Sequence, residues 1–106
     1  MIEVTTDTLA AARADGSVVI DVREPHEYVT GHVPGALHMP VGQVAARLHE
    51  LRPDRRVYVI CQSGNRSLHA TQALRRHGYD AWSVRGGTTA WMSAGHPVVT
   101  GPLAER

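Results

Sequence analysis

The sequence contains no phenylalanine, and aromatic residues make up only 5% of it. Its core must therefore be assembled from Val, Leu, Ile, Ala and two tryptophans, a set that suits a compact sheet covered by helices with small side chains. There is a single cysteine, Cys61, which excludes an intramolecular disulfide and leaves no resolving thiol in the chain, so stability must come from burial. No window is long and apolar enough for a membrane span, and Met1 to Asp7 carries neither a basic start nor the apolar stretch of a signal peptide. The cytoplasm is the expected compartment. Charge of one sign is also missing: 11 basic and 10 acidic residues leave a formal net charge of +1, which points away from nucleic acid and from membrane surfaces. Low-complexity segments and internal repeats are absent.

What is present is a chain of 106 residues, 42% apolar and 20% charged, the size of one globular domain with one hydrophobic core. Apolar runs alternate with helical patterns, which predicts an α/β domain on a mainly parallel sheet. Thr6 and Asp7 are candidate caps of a first helix over Leu9 to Ala12, closed by the turn Asp15-Gly16. Val18-Val19-Ile20 reads as a buried strand, and Pro25 as the first turn of a short helix to about Tyr28. Val33 to His38 holds a turn and a short strand, and Pro40 is expected to open a helix with Val41, Val44, Ala45 and Leu48 on one face. Val57 to Ile60 and Ala81 to Val84 are the remaining strands, and Thr88 to Ala94 the last helix, stopped by Gly95 and Pro97. The final Gly101 to Arg106 reads as a tail following a domain of residues 1–100.

Cys61 opens the run Cys61-Gln62-Ser63-Gly64-Asn65-Arg66-Ser67, placed between the strand Val57 to Ile60 and a helix whose apolar positions Ala70, Ala73 and Leu74 run up to Gly78. A lone cysteine is by default a small buried hydrophobe, but a structural cysteine within a strand would be followed by more apolar residues, not by this polar loop. A strand that turns through a short loop into a helix aims the loop N–H groups and the positive end of the helix dipole at whatever the loop holds. Gly64 permits left-handed dihedrals, so that successive N–H groups converge into a nest, and Arg66 adds a fixed positive charge. Such surroundings lower a thiol pKa from about 8.5 into the range of roughly 3.5 to 7.5. The residues thus predict a nucleophilic thiolate. In open parallel sheets ligands bind at the carboxyl ends of strands, and the loops starting at Asp21, Cys61 and Arg85 all fall at such ends.

Three segments carry a family resemblance. They are Asp21-Val22-Arg23-Glu24-Pro25-His26-Glu27-Tyr28 with Gly31-His32-Val33-Pro34-Gly35-Ala36, then the Cys61 to Ser67 loop, then Gly86-Gly87-Thr88-Thr89-Ala90-Trp91 with Gly95-His96-Pro97-Val98. In this order and at these separations the chain, from about Ile2 to Val98, resembles a rhodanese-like domain of the single-domain sulfurtransferase kind. The resemblance implies a five-stranded, mainly parallel sheet flanked by helices on both faces. It also implies a cysteine that takes a sulfane sulfur from a small anionic donor such as thiosulfate and passes it to cyanide or a cellular thiol, with no metal or organic cofactor. Cys61 and Arg66 would be catalytic, with Gln62, Ser63, Gly64, Asn65 and Ser67 as the anion-binding loop. Four residues between Cys61 and Arg66 match the loop of sulfurtransferases, whereas the related phosphatases and arsenate reductases have one more. The neutral Gln62 stands where many thiosulfate-using members carry Arg or Lys. That departure keeps a second reading open, a persulfide carrier or interaction module that works with a sulfur-relay partner and turns over little alone.

The supporting candidates are Asp21 and Glu27, acidic partners for Arg66 or Arg23, and Arg85, a basic residue near the pocket. Of the seven histidines, His26, His32 and His38 are evenly spaced but fall on different predicted elements without a ligand set for a metal. The resemblance assigns His32 a structural place beside the Pro34-Gly35 turn. His69, three residues past Arg66, is a solvated helix position or a residue of the pocket mouth, and Trp91 a core anchor of the last helix.

Overall fold

The structure, a computed structural model, describes residues 2–103. Five strands, β1 (Glu3–Val4), β2 (Val18–Asp21), β3 (Leu37–His38), β4 (Val57–Ile60) and β5 (Ala81–Val84), form one sheet in the order β1-β5-β4-β2-β3. Every strand pair runs parallel. The predicted fold class, a parallel five-stranded sheet with helices on both faces, is the one observed. β1 escapes a pattern-based reading because a two-residue strand carries no period of its own; it is held by the ladder to β5.

Alternation along β4 sorts the core into two layers. Val57 and Val59 point to one face with Ile20, Val22, Ala70 and Leu74, while Tyr58 and Ile60 point to the other with Leu9, Val19 and Trp91. Helix α3 (Asn65–Arg76) covers the first face, and α1 (Thr6–Ala14) and α4 (Gly87–Ser93) the second. The same period of two carries Cys61, just past β4, onto the α3 side. Helix α2 (Pro25–Tyr28) leaves the end of β2 with Pro25 in its first turn and a reciprocal capping box between Glu24 and Glu27.

Two expectations are corrected. The N-cap of α1 is Thr5, whose hydroxyl accepts from the Thr8 N–H at 3.2 Å, in place of Thr6 or Asp7. The segment after Pro40 is not one α-helix but two 3₁₀ stretches, Val41–Gln43 and Ala45–Glu50. Arg47 breaks the second with φ −114°, ψ 17°. Its guanidinium is held by Glu50 at 2.6 and 2.8 Å, by Gln43 at 2.9 Å and by the His38 carbonyl at 3.1 Å, so the chain is tied back to β3 rather than wound into a regular helix. Of the four apolar residues expected on one face only Val44 is fully buried.

Candidate active site

The site grows from the junction of β4 and α3. Gly64 takes φ +113°, ψ −11°, and this left-handed step turns the chain into α3 and directs its N–H at the Cys61 sulfur, 3.0 Å away. The Ser67 hydroxyl lies 3.4 Å from the same sulfur, from the first turn of α3. Cys61 is buried, 1% exposed, and burial pushes its thiol up. The Ser67 hydroxyl and the backbone N–H groups of Ser67, Gly64 and Ser63 pull the other way and prevail, so the thiol lies below its ordinary value. The arrangement favours a thiolate, and equally any other anion on that sulfur.

The N-terminal end of α4 fixes the loop from behind. The Thr88 N–H and hydroxyl both donate to the Cys61 carbonyl, at 2.8 and 3.0 Å, and the Thr89 N–H donates to the Gln62 carbonyl at 3.1 Å. A peptide is planar and trans, so a Gln62 carbonyl turned toward α4 sends the following Ser63 N–H the opposite way, toward the sulfur. Gly86 and Gly87, at φ +76° and +59°, let α4 begin at this close range. The loop starting at Arg85, expected at the same carboxyl edge as the nucleophile loop, thus meets that loop through Thr88 and Thr89.

The loop after β2 supplies the third side. Arg23 is buried at 1% exposure and holds Asp21 through Nε at 3.0 and 3.2 Å and Nη2 at 2.9 Å. It also donates to the Gly31 carbonyl at 2.8 Å and to Gln62 Oε1 at 2.9 Å. Gln62 passes the link on, its amide donating to Thr89 Oγ1 at 2.9 Å. Arg23, Gln62 and Thr89 therefore bridge the three loops expected at the carboxyl edge. Arg66 is committed to Glu27 in a two-pronged pair of 2.7 and 2.8 Å. Hydrogen bonding from Arg66 is the main reason that the Glu27 carboxyl falls to about 2, with burial opposing it. Asp21 and Glu27 thus take one arginine each.

Ser63 and Asn65 lie exposed on the rim of the loop. Arg85, just before the Gly86-Gly87 turn, has its Nε 3.7 Å from Glu3 Oε1 on the edge strand β1. His69 is exposed and borders an apolar groove between α3 and the 3₁₀ segment, with Val44, Leu48 and Ala73. His32 packs in the interior, stacked on the Tyr28 ring at 3.7 Å and hydrogen-bonded to the Tyr28 and Leu103 carbonyls at 2.9 Å each. The same Tyr28 donates its hydroxyl to the Ala36 carbonyl, just after the Pro34-Gly35 turn, at 2.6 Å. Trp91 is buried in the core, its indole N–H on the Pro97 carbonyl at 2.7 Å. The expected tail is partly docked, with the Gly101 N–H on the Val29 carbonyl at 2.9 Å, while residues 104–106 of it lie outside the described ones. Among the described residues no group of three or more His, Cys, Asp or Glu side chains is placed to hold a metal.

A family model described as a rhodanese-like domain matches residues 5–94 of the chain, nine-tenths of the described length and all three loops of the site. The chain belongs to the rhodanese-like family. This rhodanese-like domain is 35% identical over 100 residues to a sulfurtransferase of Allochromatium vinosum, a match covering 92% of this chain and 94% of that protein. It is 42% identical over 74 residues to the uncharacterized protein YqhL of Bacillus subtilis, covering 69% of this chain and 59% of that one. A third relative, YrkF of the same bacterium, provisionally named a sulfur carrier protein, is 41% identical over 61 residues, 58% of this chain and 33% of the relative. The chain thus spans little more than half of YqhL and a third of YrkF. Among solved structures, a rhodanese-related protein of Thermoplasma volcanium superposes with a TM-score of 0.86 at 30% identity, covering 93% of this chain and 98% of the other. No helix among the described residues is long and apolar enough to cross a membrane.

Proposed function

We propose that this rhodanese-like domain is a sulfurtransferase that carries sulfur as a persulfide on Cys61. The observation that carries the reading is the convergence of the Gly64 N–H and the Ser67 hydroxyl on one buried sulfur, at 3.0 and 3.4 Å. The cycle is nucleophilic catalysis in two displacements. The Cys61 thiolate attacks the outer sulfur of thiosulfate, a Cys61 S–S bond forms, the donor S–S bond breaks and sulfite leaves with the electron pair. Cyanide or a cellular thiolate then attacks the outer persulfide sulfur, thiocyanate or a new persulfide departs, and the Cys61 thiolate returns. Each state of the sulfur is anionic, so the donors that favour the thiolate also favour the intermediate. Charged hydrogen bonds of this kind are worth about 1.5 to 3 kcal/mol each. Arg66, with Ser63, Asn65 and Gln62 on the rim, is the proposed anion-facing surface, and the cytoplasm, with its thiol acceptors, the proposed place of action.

Mass spectrometry after incubation with thiosulfate tests this: the intact protein is expected to gain one sulfur atom, and Cys61→Ser to gain none. Failure of wild type to gain sulfur from thiosulfate and from other sulfane donors would overturn it.

A second reading, a carrier loaded by a partner enzyme, is favoured by a specific feature. The two arginines of the site are already paired with Glu27 and Asp21, and the residue after Cys61 is a neutral glutamine pinned by Arg23. A small free dianion finds little uncompensated charge there. Steady-state thiosulfate:cyanide turnover compared with loading from a protein persulfide separates the two, the carrier reading requiring the second to be the faster by far. Hydrolysis of phosphate esters is expected from neither.

A further inference from the structure

We propose that Ser83 is a positioning residue for the nucleophile: its buried hydroxyl donates to Ser67 and so frees the one Ser67 proton to rest on the Cys61 sulfur whenever that sulfur is negative. This inference rests on the proposed sulfur chemistry of Cys61, but it concerns a residue of the sheet, outside the loop.

Ser83 lies in β5, fully buried, on the face that α3 covers, where a strand position would ordinarily hold an apolar side chain. Its hydroxyl is 2.8 Å from Ser67 Oγ. Ser67 Oγ in turn has two other neighbours, the Gly64 carbonyl at 3.1 Å and Cys61 Sγ at 3.4 Å. A hydroxyl has one proton to give and two lone pairs to accept with. The Gly64 carbonyl can only accept, and so can a thiolate. While Cys61 is a thiol, its S–H can donate to Ser67 and Ser67 to the Gly64 carbonyl. Once the sulfur proton has left to solvent, Ser67 must turn its proton onto the sulfur or leave the charge short of a donor.

Two features let that turn happen at little cost. The Gly64 carbonyl keeps a donor, because the Leu68 N–H also points at it, at 3.2 Å. Ser67 keeps a partner for its lone pair, because Ser83 serves as donor in either state. A donor behind Ser67 polarises its O–H and strengthens the bond in front, as in any chain of hydroxyls away from water. Without Ser83 the Ser67 oxygen would lose that donor, and its bond to the sulfur would weaken relative to the one it can make to the Gly64 carbonyl.

The test is the pH profile of Cys61 alkylation by iodoacetamide, a neutral probe that reports the thiolate whether or not the protein turns over. Ser83→Ala is expected to move the profile to higher pH, with about a two- to fourfold loss of rate on its rising limb. Ser83→Thr, which retains the hydroxyl, is expected to restore it. In a Ser67→Ala background, Ser83→Ala is expected to shift nothing further, as befits a residue that acts through another. A Ser83→Ala profile superposed on wild type, or a shift of full size in the Ser67→Ala background, would overturn the proposal. Sulfur uptake by wild type is scored separately, so a protein that takes no sulfur yet shows the Ser83 shift refutes the function and keeps the relay.

Discussion

Gly87 packs so tightly on the nucleophile loop that a β-carbon there would stand 2.5 Å from the Cys61 carbonyl oxygen and 2.6 Å from the Gln62 carbonyl carbon. Both obstacles are backbone and neither can swing aside. The approach is what allows the Thr88 and Thr89 N–H groups to hold those two carbonyls.

Gly87→Ala should therefore cost both stability and the acidity of the thiol. A left-handed φ of +59° adds strain to the collision, and together they predict a loss of at least about 2 kcal/mol. Gly16→Ala is the control: Gly16 has a similar φ of +80° but nothing within 4 Å, so the conformational strain acts alone and about 1 kcal/mol is expected. Urea unfolding of the two variants decides whether close packing at Gly87 matters; equal losses would show that it does not.

The buried Arg23–Asp21 pair makes a second prediction. Both side chains are almost wholly shielded from water, at 2% and 0% exposure, and Arg23 spends its remaining donors on Gly31 and Gln62. Removing one partner leaves an uncompensated charge, so Arg23→Met or Asp21→Asn should destabilise by about 3 to 5 kcal/mol. Arg23→Lys should recover little, since an ammonium cannot grip a carboxylate, a carbonyl and an amide from one planar group. The double variant Arg23→Met/Asp21→Asn should lose less than the sum of the single losses; additivity measured by denaturant titration would refute coupling of the pair.

How far the sequence foretold this site depends on how local each feature is. The strand Val57–Ile60, the turn at Gly64 and the helix to Arg76 follow from a β-branched run, a glycine and a repeat of apolar residues, all within twenty positions of one another. The short helix at Pro25 is equally local. The failures are tertiary. Nothing near Val41 announces that Arg47 will be drawn to the His38 carbonyl and unwind a helix. Asp21 and Glu27 were legible as partners of arginines, but which pairs with which depends on Arg23 folding inward under the loop while Arg66 stays at its edge. The contact of Arg85 with Glu3 was out of reach for the same reason, because Glu3 belongs to a strand too short to be read. Ser83 looks like an ordinary small strand residue until α3 sets Ser67 above it.

The charge on Arg66 is largely cancelled by Glu27, and this can be reversed by design. In Glu27→Gln the guanidinium keeps an uncharged partner but its field is no longer compensated at the mouth of the loop. The apparent KM for thiosulfate should fall severalfold while turnover changes little, whereas Arg66→Met should raise KM. Steady-state kinetics over a range of ionic strength checks the cause, since an electrostatic gain must shrink as salt is added. A rise of KM in Glu27→Gln would mean that the pair serves to orient Arg66 and not to mask it.

The same pair sets an acid limb for stability. Glu27 falls from an ordinary 4.5 to about 2 in the folded chain. A depressed carboxyl stabilises the native state above the unfolded value, because the ion is bound more favourably by the fold than by water, and this contribution drains away as pH drops from about 4.5 to about 2. In that window the unfolded chain takes up the proton first, so acid favours unfolding. The full shift overstates the energy, since Arg66 and Glu27 are 39% and 23% exposed and solvent screens them. A contribution of roughly 1 kcal/mol is the better expectation. Other carboxylates titrate in the same range, which makes the informative quantity a difference: unfolding free energy of wild type minus that of Glu27→Gln, measured from pH 6 to pH 2. It should be flat above about pH 4.5 and converge toward zero near pH 2, and a difference that stays constant across the window would show that the Arg66–Glu27 bond adds no pH-dependent stability.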